Sequence, residues 1–578
     1  MEMFQVVDEI PPLSAQEEEI GMYRARMRVL CMLATLAIPT GYCAGSDPRI
    51  DRELLINDVR QLAELMETVH PDPYMNGGGK IAFHRRLQET LATIPEGGMT
   101  VAGFYRHLGP FVAAIGDAHT WLRDPYQTDH RRPGGIPLRF GIVEDTLYVA
   151  ATQKQDSALL GQRLVAVEGV PFEELMARQG RAIGAENEYL LLRHLAGWVL
   201  WERPFLEHLI PEWKDKDRIR VLLRDASGSA EQHVMQIPKR LRRPLPHRPS
   251  SQIRLPARDK CDFVYEFMNE DRKTALLVID DMTGYREVFE WDRSVGSAFD
   301  ADRARDIYKR YTGTWLAPRD EDKLIEGIPS ATETFQKLVD EMKAAGTKQL
   351  LIDLRHNDGG ASSMSEFLIY MLHGKRKLLS LKQGRREVRR FSRRYFENNS
   401  NISLAGINQG KPFRLKANDY DLGPAYYRQF GKAPPAQTGV EAEFEALVAR
   451  LPSFERAYRT GEYEARYCPE HVVVICSPDT FSSGWTLMYY LKEAGALVVG
   501  TPSSQGPNCF GDILSFTLKH SGLSGIVSQK RFEYYPDDPK ATVLKPDYPL
   551  SYEKLAEYDF DPNAEIRYAL EVLDKLGS

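Results

Sequence analysis

The sequence has few cysteines, no long apolar run and no excess of positive charge. Only six of its 578 residues are cysteines, and they form neither a CxxC pair nor a zinc-ligand spacing. A disulfide-dense scaffold is therefore excluded, although one or two disulfides remain open. The formal net charge of -6 argues against a general nucleic-acid-binding protein, which is normally basic. With 43% hydrophobic and 27% charged residues, the chain is neither disordered nor fibrous.

The most apolar stretch near the N-terminus has the layout of a secretory signal peptide. Three arginines precede the short apolar run Val29–Ile38, and small residues follow it. A membrane-spanning helix needs about 20 apolar residues, so this run is too short. The signal would begin at Met22 or Met27, after an upstream extension. We expect an exported protein, periplasmic or secreted, with no membrane span after cleavage. Lipid anchoring through Cys43 and a buried apolar helix are less favoured alternatives.

The rest of the chain divides into three regions of different character. The first shows the apolar spacing of helices, the second has short strand runs separated by Gly and Asp, and the third alternates apolar runs with helical patterns. The predicted organisation is an upstream extension plus signal peptide at 1–45, a helical region at 46–128, a β-rich middle domain at 129–260 and an α/β core at 261–578 with an insertion at about 375–468.

Local signals set the element boundaries in two of these regions. Apolar residues recur every three or four positions from Leu55 to Val69, and the helix should end at His70 because a proline follows it. Thr100 is a capping signal for a helix over about 101–115. In the last region, near-continuous apolar runs indicate buried parallel strands. These runs are 275–279, 349–354, 471–476 and 496–500.

Two strand-to-helix turns of the last region carry candidate chemistry. In the first turn, Gly359 and Gly360 allow a close backbone approach and can point N–H groups into a cleft at a helix N-terminus. In the second, Ser482 and Ser483 begin a helix at the carboxyl end of a parallel strand, where open α/β sheets place ligands. Each turn taken alone is also compatible with an ordinary connection or an N-cap serine.

A histidine loop ends the helical region. It reads Gly116-Asp-Ala-His-Thr, and its His119 has the chemistry of a general base for a serine distant in sequence. A single histidine is more often structural, so the loop gains meaning only together with the two turns. A dense basic run, Arg385–Arg394, could meet acidic groups of a substrate but is more typical of a solvated edge.

Together these motifs resemble peptidase family S41, which groups tail-specific (C-terminal processing) proteases, the tricorn core protease and the interphotoreceptor retinoid-binding protein. The resemblance runs in order from about residue 50 to 575. The matching segments are Gly116-Asp-Ala-His-Thr with G-D-G-H-T, Asp353-Leu-Arg-His-Asn-Asp-Gly-Gly with D-x-R-x-N-x-G-G, Thr480-Phe-Ser-Ser-Gly-Trp with T-A-S-A-x-E, Val498-Val-Gly-Thr-Pro-Ser-Ser-Gln-Gly with V-G-E-x-T-x-G, and Lys545-Pro-Asp-Tyr-Pro-Leu with P-D-x-x-V. It implies an α/β, ClpP/crotonase-like catalytic core and a PDZ-like or related middle domain.

The resemblance also implies roles for the motif residues. Ser482 would be the nucleophile. The Ser483 N–H would be one oxyanion donor, and either Gly359 or Gly360 would supply the other. His119 would be the general base, as in the branch of the family that is similar to tricorn.

The departures from the family pattern decide between its branches. The lysine branch carries a base shortly after V-G-E-x-T-x-G, but residues 505–508 contain no lysine. The histidine branch uses an acid late in the chain, and the candidates here are Glu533, Asp537 and Asp538. Ala118 replaces the serine that precedes the tricorn histidine, and Trp485 replaces the usual glutamate after the nucleophile. We therefore expect a different orienting network around His119.

The predicted function is a serine endopeptidase or processing protease that acts on a peptide or protein substrate through an acyl-enzyme. The mechanism requires no metal or organic cofactor. Two alternatives stay open: a catalytically inactive S41-fold ligand-binding protein, and a crotonase-like acyl-group enzyme that uses the same oxyanion hole. Substrate preference, oligomeric state, disulfide pairing and the role of the insertion are left open.

Overall fold

The fold is described from a computed structural model. It covers residues 48–577 except 126–133, 198–200, 215, 238–246, 297–298, 317–319, 409–410, 412, 424–439 and 461–466. The predicted signal peptide lies outside the described residues. Within them, the helices are all too short or too polar to cross a bilayer. Four cysteines, Cys261, Cys468, Cys476 and Cys509, are free thiols.

The N-terminal region consists of three helices and a short strand. They are α1 (Arg52–Val69), α2 (Gly79–Ala92), α3 (Val101–Ala113) and β1 (Trp121–Leu122). The two helices that the sequence predicts are confirmed: α1 begins three residues before Leu55, and α3 ends two residues before the predicted end at 115. Helix α1 ends at His70, before Pro71, as expected. The hydroxyl of Thr100 caps α3 by accepting a hydrogen bond from the Gly103 N–H at 3.1 Å.

Replacing Thr100 with alanine should loosen α3 locally, because the first turn loses a capped N–H worth about 1 kcal/mol. In hydrogen–deuterium exchange followed by mass spectrometry, peptides that cover α3 should exchange about fivefold faster. Thr68→Ala is the matched control, since this exposed hydroxyl only donates back to the Glu64 carbonyl of its own helix. Equal exchange in Thr100→Ala and wild type would contradict the capping role.

The middle region is an antiparallel sheet covered by short helices. Its strands occur in the order β2-β3-β4-β6-β7, with β5 beside β4. Its elements are β2 (Leu138–Val143), β3 (Thr146–Thr152), β4 (Arg163–Val167), β5 (Val170–Pro171), α4 (Phe172–Gly180), α5 (Glu188–Ala196), α6 (Arg203–Leu209), β6 (Arg218–Arg224) and β7 (Ala230–Gln236). Two 3₁₀ turns, Lys154–Leu159 and Pro211–Trp213, connect them. The β-rich character that the sequence predicts is confirmed.

The last region contains a parallel sheet between helical layers. Its elements begin with β8 (Phe263–Phe267), β9 (Thr274–Ile279), α7 (Arg286–Val295), α8 (Ala301–Thr312), α9 (Glu321–Glu326), α10 (Ala331–Ala345), β10 (Gln349–Asp353), α11 (Ser363–Gly384), β11 (Arg386–Arg390), α12 (Arg393–Asn398), α13 (Leu404–Ile407), β12 (Tyr420–Asp421), α14 (Val440–Val448) and α15 (Pro452–Thr460). They continue with β13 (His471–Cys476), α16 (Ser483–Glu493), β14 (Leu497–Gly500), β15 (Asn508–Thr517), β16 (Ser524–Glu533), β17 (Tyr548–Pro549), α17 (Tyr552–Glu557) and α18 (Ala564–Gly577).

The central sheet has the strand order β17-β14-β13-β10-β9-β8, and only β8 runs antiparallel to its neighbour. The four apolar runs are its strands β9, β10, β13 and β14, so the predicted buried parallel sheet is confirmed. Helix α18 packs its apolar side on one face, while α10, α11 and α16 contribute to the core on the other. Apolar burial on both faces is what makes such strands nearly continuous in hydrophobicity.

A second sheet of this region joins distant parts of the chain. Its order is β1-β16-β11-β12, with β15 paired to β16. The predicted insertion supplies β11 and β12, and the basic run is largely paired within the protein. For example, Arg389 binds Asp512 at 2.6 Å and Arg394 donates to the Ser515 carbonyl. Helices α1 and α3 pack on the β15–β16 hairpin, which brings the histidine loop beside the central sheet.

Candidate active site

The two candidate turns meet at one edge of the central sheet. Strands β10 and β13 are parallel neighbours in register, with Asp353 opposite Ile475, so their carboxyl ends lie side by side. The Thr480 hydroxyl donates to the Leu354 carbonyl at 2.8 Å, and the Phe481 N–H donates to the Asn357 carbonyl at 2.8 Å. These bonds hold the serine turn against the glycine turn.

Ser482 has an unusual backbone conformation at the start of α16. Its φ is 53° and its ψ is -120°, a region that a residue with a Cβ rarely occupies. Its N–H donates to the Gln505 Oε1 at 2.7 Å, which helps to hold the conformation. A strained serine on a sharp strand-to-helix turn is the arrangement that exposes a nucleophilic hydroxyl above a sheet. The positive end of the α16 dipole lies beside it.

The glycine turn leaves no room for side chains. Gly359 has a φ of 98° and Gly360 a φ of 133°. A Cβ on Gly359 would lie 2.6 Å from the Ser482 Cβ, and one on Gly360 would lie 2.3 Å from the Met282 carbonyl oxygen. The backbone therefore approaches Ser482 closely only because both residues are glycine.

The N–H groups of the two glycines differ in availability. The Gly359 N–H donates to the Asn357 Oδ1 at 2.9 Å and is therefore committed. Among the described residues, neither the Gly360 N–H nor the Ser483 N–H has a hydrogen-bond acceptor. The Ser483 hydroxyl donates to the Gly360 carbonyl at 2.6 Å and ties the two together. Of the two glycines that the sequence left open, Gly360 is the one with a free donor.

Asp117 fixes the loop that carries His119. Its Oδ1 accepts the His119 backbone N–H at 2.8 Å, and its Oδ2 accepts from the His70 Nε2 at 3.1 Å and from the Ser528 hydroxyl at 2.7 Å. The Thr120 hydroxyl is a fourth donor. Burial raises the pKa of the Asp117 carboxyl. The hydrogen bond from His70, the charges that His70 and His119 carry when protonated in acid, and the hydrogen bond from Thr120 outweigh burial and lower the pKa to about 2.

The tautomer of His70 follows from its neighbours. The Asp72 N–H donates to the His70 Nδ1 at 3.1 Å, so Nδ1 is an acceptor and Nε2 carries the proton. The Nε2–H therefore donates to Asp117.

The His119 imidazole is buried and stacked on the residue before Ser482. Its ring centroid lies 4.6 Å from that of Phe481, at an interplanar angle of 24°. Burial lowers the pKa of the His119 imidazole, and the positive charge of Arg193 lowers it further. The negative charge of Asp117 and an interaction with the Phe510 backbone carbonyl raise it, but the net pKa lies below the ordinary 6.5. The ring is therefore neutral at neutral pH and able to accept a proton.

Neither ring nitrogen of His119 makes a well-aligned hydrogen bond with any described residue, Ser482 included, although both nitrogens are buried; the Phe510 carbonyl interacts with the ring only weakly. Contacts between a base and its nucleophile commonly tighten only when substrate binds.

The acids near His119 differ from the three that the sequence suggests. Glu533 accepts a hydrogen bond from Arg531 at 3.1 Å, while Asp537 and Asp538 are exposed. Asp117 and Glu186 each have a carboxylate oxygen within 4.8 Å of a His119 nitrogen. Sequence reasoning missed Glu186, which lies between α4 and α5 in a segment without a recognisable motif.

Glu186 reaches the site from the middle region. Its Oε2 accepts the Gly506 N–H at 3.1 Å, while its Oε1 is buried and has no partner among the described residues. Burial raises the pKa of Glu186 well above the ordinary 4.5, and Asp117 raises it further, against backbone groups of Gly506, Phe510 and Ala118 that lower it.

Two further residues attach the same segment to the core. The Asn187 side-chain amide donates to the carbonyls of Ser503 at 3.2 Å and Thr542 at 3.0 Å. Arg193 binds Asp479 of the serine turn at 2.6 Å and also binds Asp358 of the glycine turn. The middle region thus contacts both turns directly.

A metal ion could fit among three side chains of the site by distance alone. One ligand atom each of Asp117, His119 and Glu186 lies within 4.8 Å of the other two. However, both Asp117 oxygens are already occupied by four donors. Only His119 and Glu186 would remain as ligands, fewer than the three or four protein ligands of typical zinc sites. The donor set therefore does not fit a metal centre and suits proton transfer better.

Residues 322–548 match the family model of Peptidase family S41. This part of the chain is similar to peptidase family S41. The resemblance that the motifs indicate is thereby confirmed, and the match contains both turns, whereas His119 and Glu186 lie before it. No curated protein matches the sequence of the chain.

Several solved structures of S41 proteins are distantly similar. Mature CPAF complexed with lactacystin has 14% identity and a TM-score of 0.48, with coverage of 90% of this chain and 97% of that one. The photosystem II D1 C-terminal processing protease has 12% identity, a TM-score of 0.35 and coverage of 87% and 94%. The tricorn protease has 11% identity, a TM-score of 0.28 and coverage of 91% and 37%. Likenesses this distant say nothing about individual site residues.

Proposed function

We propose that the protein is a serine peptidase that cleaves peptide or protein substrates through an acyl-enzyme on Ser482. The observation that carries the proposal is the strained serine at the N-terminus of α16, with a buried neutral histidine stacked on the residue before it. The match of residues 322–548 to a peptidase family agrees with this chemistry. Export from the cytoplasm and action as a processing protease are part of the same proposal.

Each group has one role in the mechanism. His119 takes the proton of the Ser482 hydroxyl as its oxygen attacks the substrate carbonyl, and later gives that proton to the leaving amine. The Gly360 and Ser483 N–H groups bind the oxyanion, and each donor contributes about 2.7–4 kcal/mol to transition-state stabilisation. Water then hydrolyses the acyl-enzyme with His119 again as base. The protein's own residues supply all of these roles.

The test is covalent labelling of the full-length protein with a fluorophosphonate probe, followed by peptide mapping. Labelling should map to Ser482, because this is the serine that His119 is proposed to activate. His119→Ala should slow labelling by about 10²- to 10⁴-fold, which is the usual contribution of a positioned base. His84→Ala is the matched control, because this histidine is 40% exposed and pairs with Glu67 at the surface.

The outcomes separate the proposed function from its rivals. Folded wild-type protein that does not label, or that labels at another serine, would contradict the proposal and favour a binding protein of the same fold. Labelling that is insensitive to His119→Ala would leave Ser482 reactive but remove His119 as its base.

A further inference from the structure

Three buried polar atoms without well-aligned partners belong to Glu186 and to His119, whose ring stacks on the residue before Ser482. They are the two ring nitrogens of His119 and the Oε1 of Glu186, none of which has a well-aligned hydrogen-bond partner within the described part of the chain. The carboxylate of Glu186 lies within 4.8 Å of the imidazole. Each unsatisfied buried polar group costs about 1–3 kcal/mol, so a hydrogen bond between them would remove two such costs at once.

We propose that Glu186 is the positioning residue of His119: its carboxylate accepts a hydrogen bond from one ring nitrogen, so that the other nitrogen is free to accept the proton of Ser482. This inference rests on the proposed function. The third member of the catalytic group then comes from the middle region instead of the late part of the chain, where Glu533, Asp537 and Asp538 were expected.

The other nearby acid cannot take this role. The two oxygens of Asp117 already accept four hydrogen bonds, one of them from the His119 backbone N–H. Asp117 therefore fixes the loop, and it leaves the imidazole without a carboxylate partner. The remaining rival is the Phe510 backbone carbonyl, which also acts on His119.

The segment that carries Glu186 is built for close approach. A Cβ on Gly184 would lie 2.9 Å from the Asp117 carbonyl oxygen, so only glycine lets the segment pass this loop. Glu186 itself is held by the Gly506 N–H, and the next residue, Asn187, is anchored to Ser503. The carboxylate is therefore presented to His119 by a fixed backbone.

The pair makes a specific prediction for pH dependence. The active form has a neutral His119 whose ring N–H donates to an ionised Glu186. Protonation of either side chain abolishes this active form. The fall of the labelling rate at acid pH (the acid limb) therefore reports protonation of the Glu186–His119 pair and not of either residue alone. Burial and the charge of Asp117 raise the pKa of Glu186, so the pair gains a proton at higher pH than His119 would alone. In Glu186→Gln, the acid limb reports protonation of His119 alone. Its imidazole faces Asp117, Arg193 and the Phe510 carbonyl, and burial holds its pKa below 6.5.

The experiment measures the second-order rate of fluorophosphonate labelling against pH in wild type, Glu186→Gln and Glu186→Asp. Glu186→Gln keeps the size of the side chain and an acceptor for the Gly506 N–H, but it cannot ionise. We expect labelling to slow by about 10- to 100-fold, part of the 10²–10⁴ that a positioned base contributes. We also expect the acid limb to move to lower pH. Glu188→Gln is the matched control, since this carboxylate is exposed two residues away.

Each outcome decides the matter. A wild-type rate and limb in Glu186→Gln would show that the Phe510 carbonyl orients His119 and would overturn the proposal. A slower rate with an unmoved limb would reduce Glu186 to a structural role. If Glu186→Gln does not fold, Glu186→Asp carries the test: it should label more slowly than wild type and keep the acid limb of wild type, and a limb that moves to lower pH would overturn the proposal. Wild-type protein that does not label would instead refute the proposed function before any variant is compared.

Discussion

Ser482→Ala is expected to remain folded and to lose labelling and peptide turnover. Among the described residues, Ser482 makes hydrogen bonds through its N–H and its carbonyl and none through its hydroxyl, so removal of the hydroxyl leaves no buried partner unsatisfied. Alanine and serine are equally strained at a φ of 53°, and the backbone should be unchanged. If Ser482 is the nucleophile, turnover should fall on the order of 10⁶-fold, the scale seen when a serine protease loses its serine. The measurement is labelling together with release of amines from a protein substrate such as casein.

Ser483→Ala is the matched control for this loss. It removes the bond from the Ser483 hydroxyl to the Gly360 carbonyl but keeps the Ser483 N–H, so the rate should fall by no more than about tenfold. Ser482→Gly should also be inactive, yet more resistant to thermal unfolding than Ser482→Ala, because glycine adopts positive φ without strain. Wild-type turnover in Ser482→Ala would disprove the nucleophile, and equal losses in Ser482→Ala and Ser483→Ala would assign the effect to the turn as a whole.

Much of the central sheet and its two turns could be predicted because the signals are local. Apolar runs mark strands that are buried on both faces, and β13 has the predicted bounds. The Thr100 cap likewise depends on residues three positions apart. The approach of Ser482 to the glycine turn was implied by the family resemblance, which assigns both turns to one oxyanion site.

The missed features are those that depend on contacts between distant residues. Glu186 meets the Gly506 N–H across 320 positions, and Arg193 meets Asp479 across 286. No periodicity or spacing records such pairs. The choice between Gly359 and Gly360 was decided by a side chain, because the Asn357 amide oxygen takes the N–H of one glycine and leaves the other free. The late acids were favoured by the family pattern alone.

Asp117→Asn is expected to lower the free energy of unfolding by about 3–5 kcal/mol, the usual cost of breaking a buried charged network. Four donors converge on the carboxylate, which accepts on both oxygens. Asparagine would place an NH₂ group against at least one of these donors, and neither group could then be satisfied. Urea unfolding, with hydrogen exchange of peptides covering 115–122, measures the loss. Asp145→Asn is the control, since this residue is exposed.

The same carboxylate makes the loss depend on pH in a definite direction. The folded-state pKa of Asp117 is lowered from the ordinary 3.8 to about 2, so its contribution is fully present above 3.8 and disappears as the pH falls through about 2. The stability difference between wild type and Asp117→Asn should therefore be constant near neutral pH and shrink below pH 4. A difference that stays the same down to pH 2 would mean that shape, and not charge, makes the residue necessary. The Asp117 carboxylate also accepts the backbone N–H of His119. Fluorophosphonate labelling of Ser482 in the folded Asp117→Asn variant should therefore be slower than in wild type at neutral pH, which links the stability of this loop to the proposed chemistry.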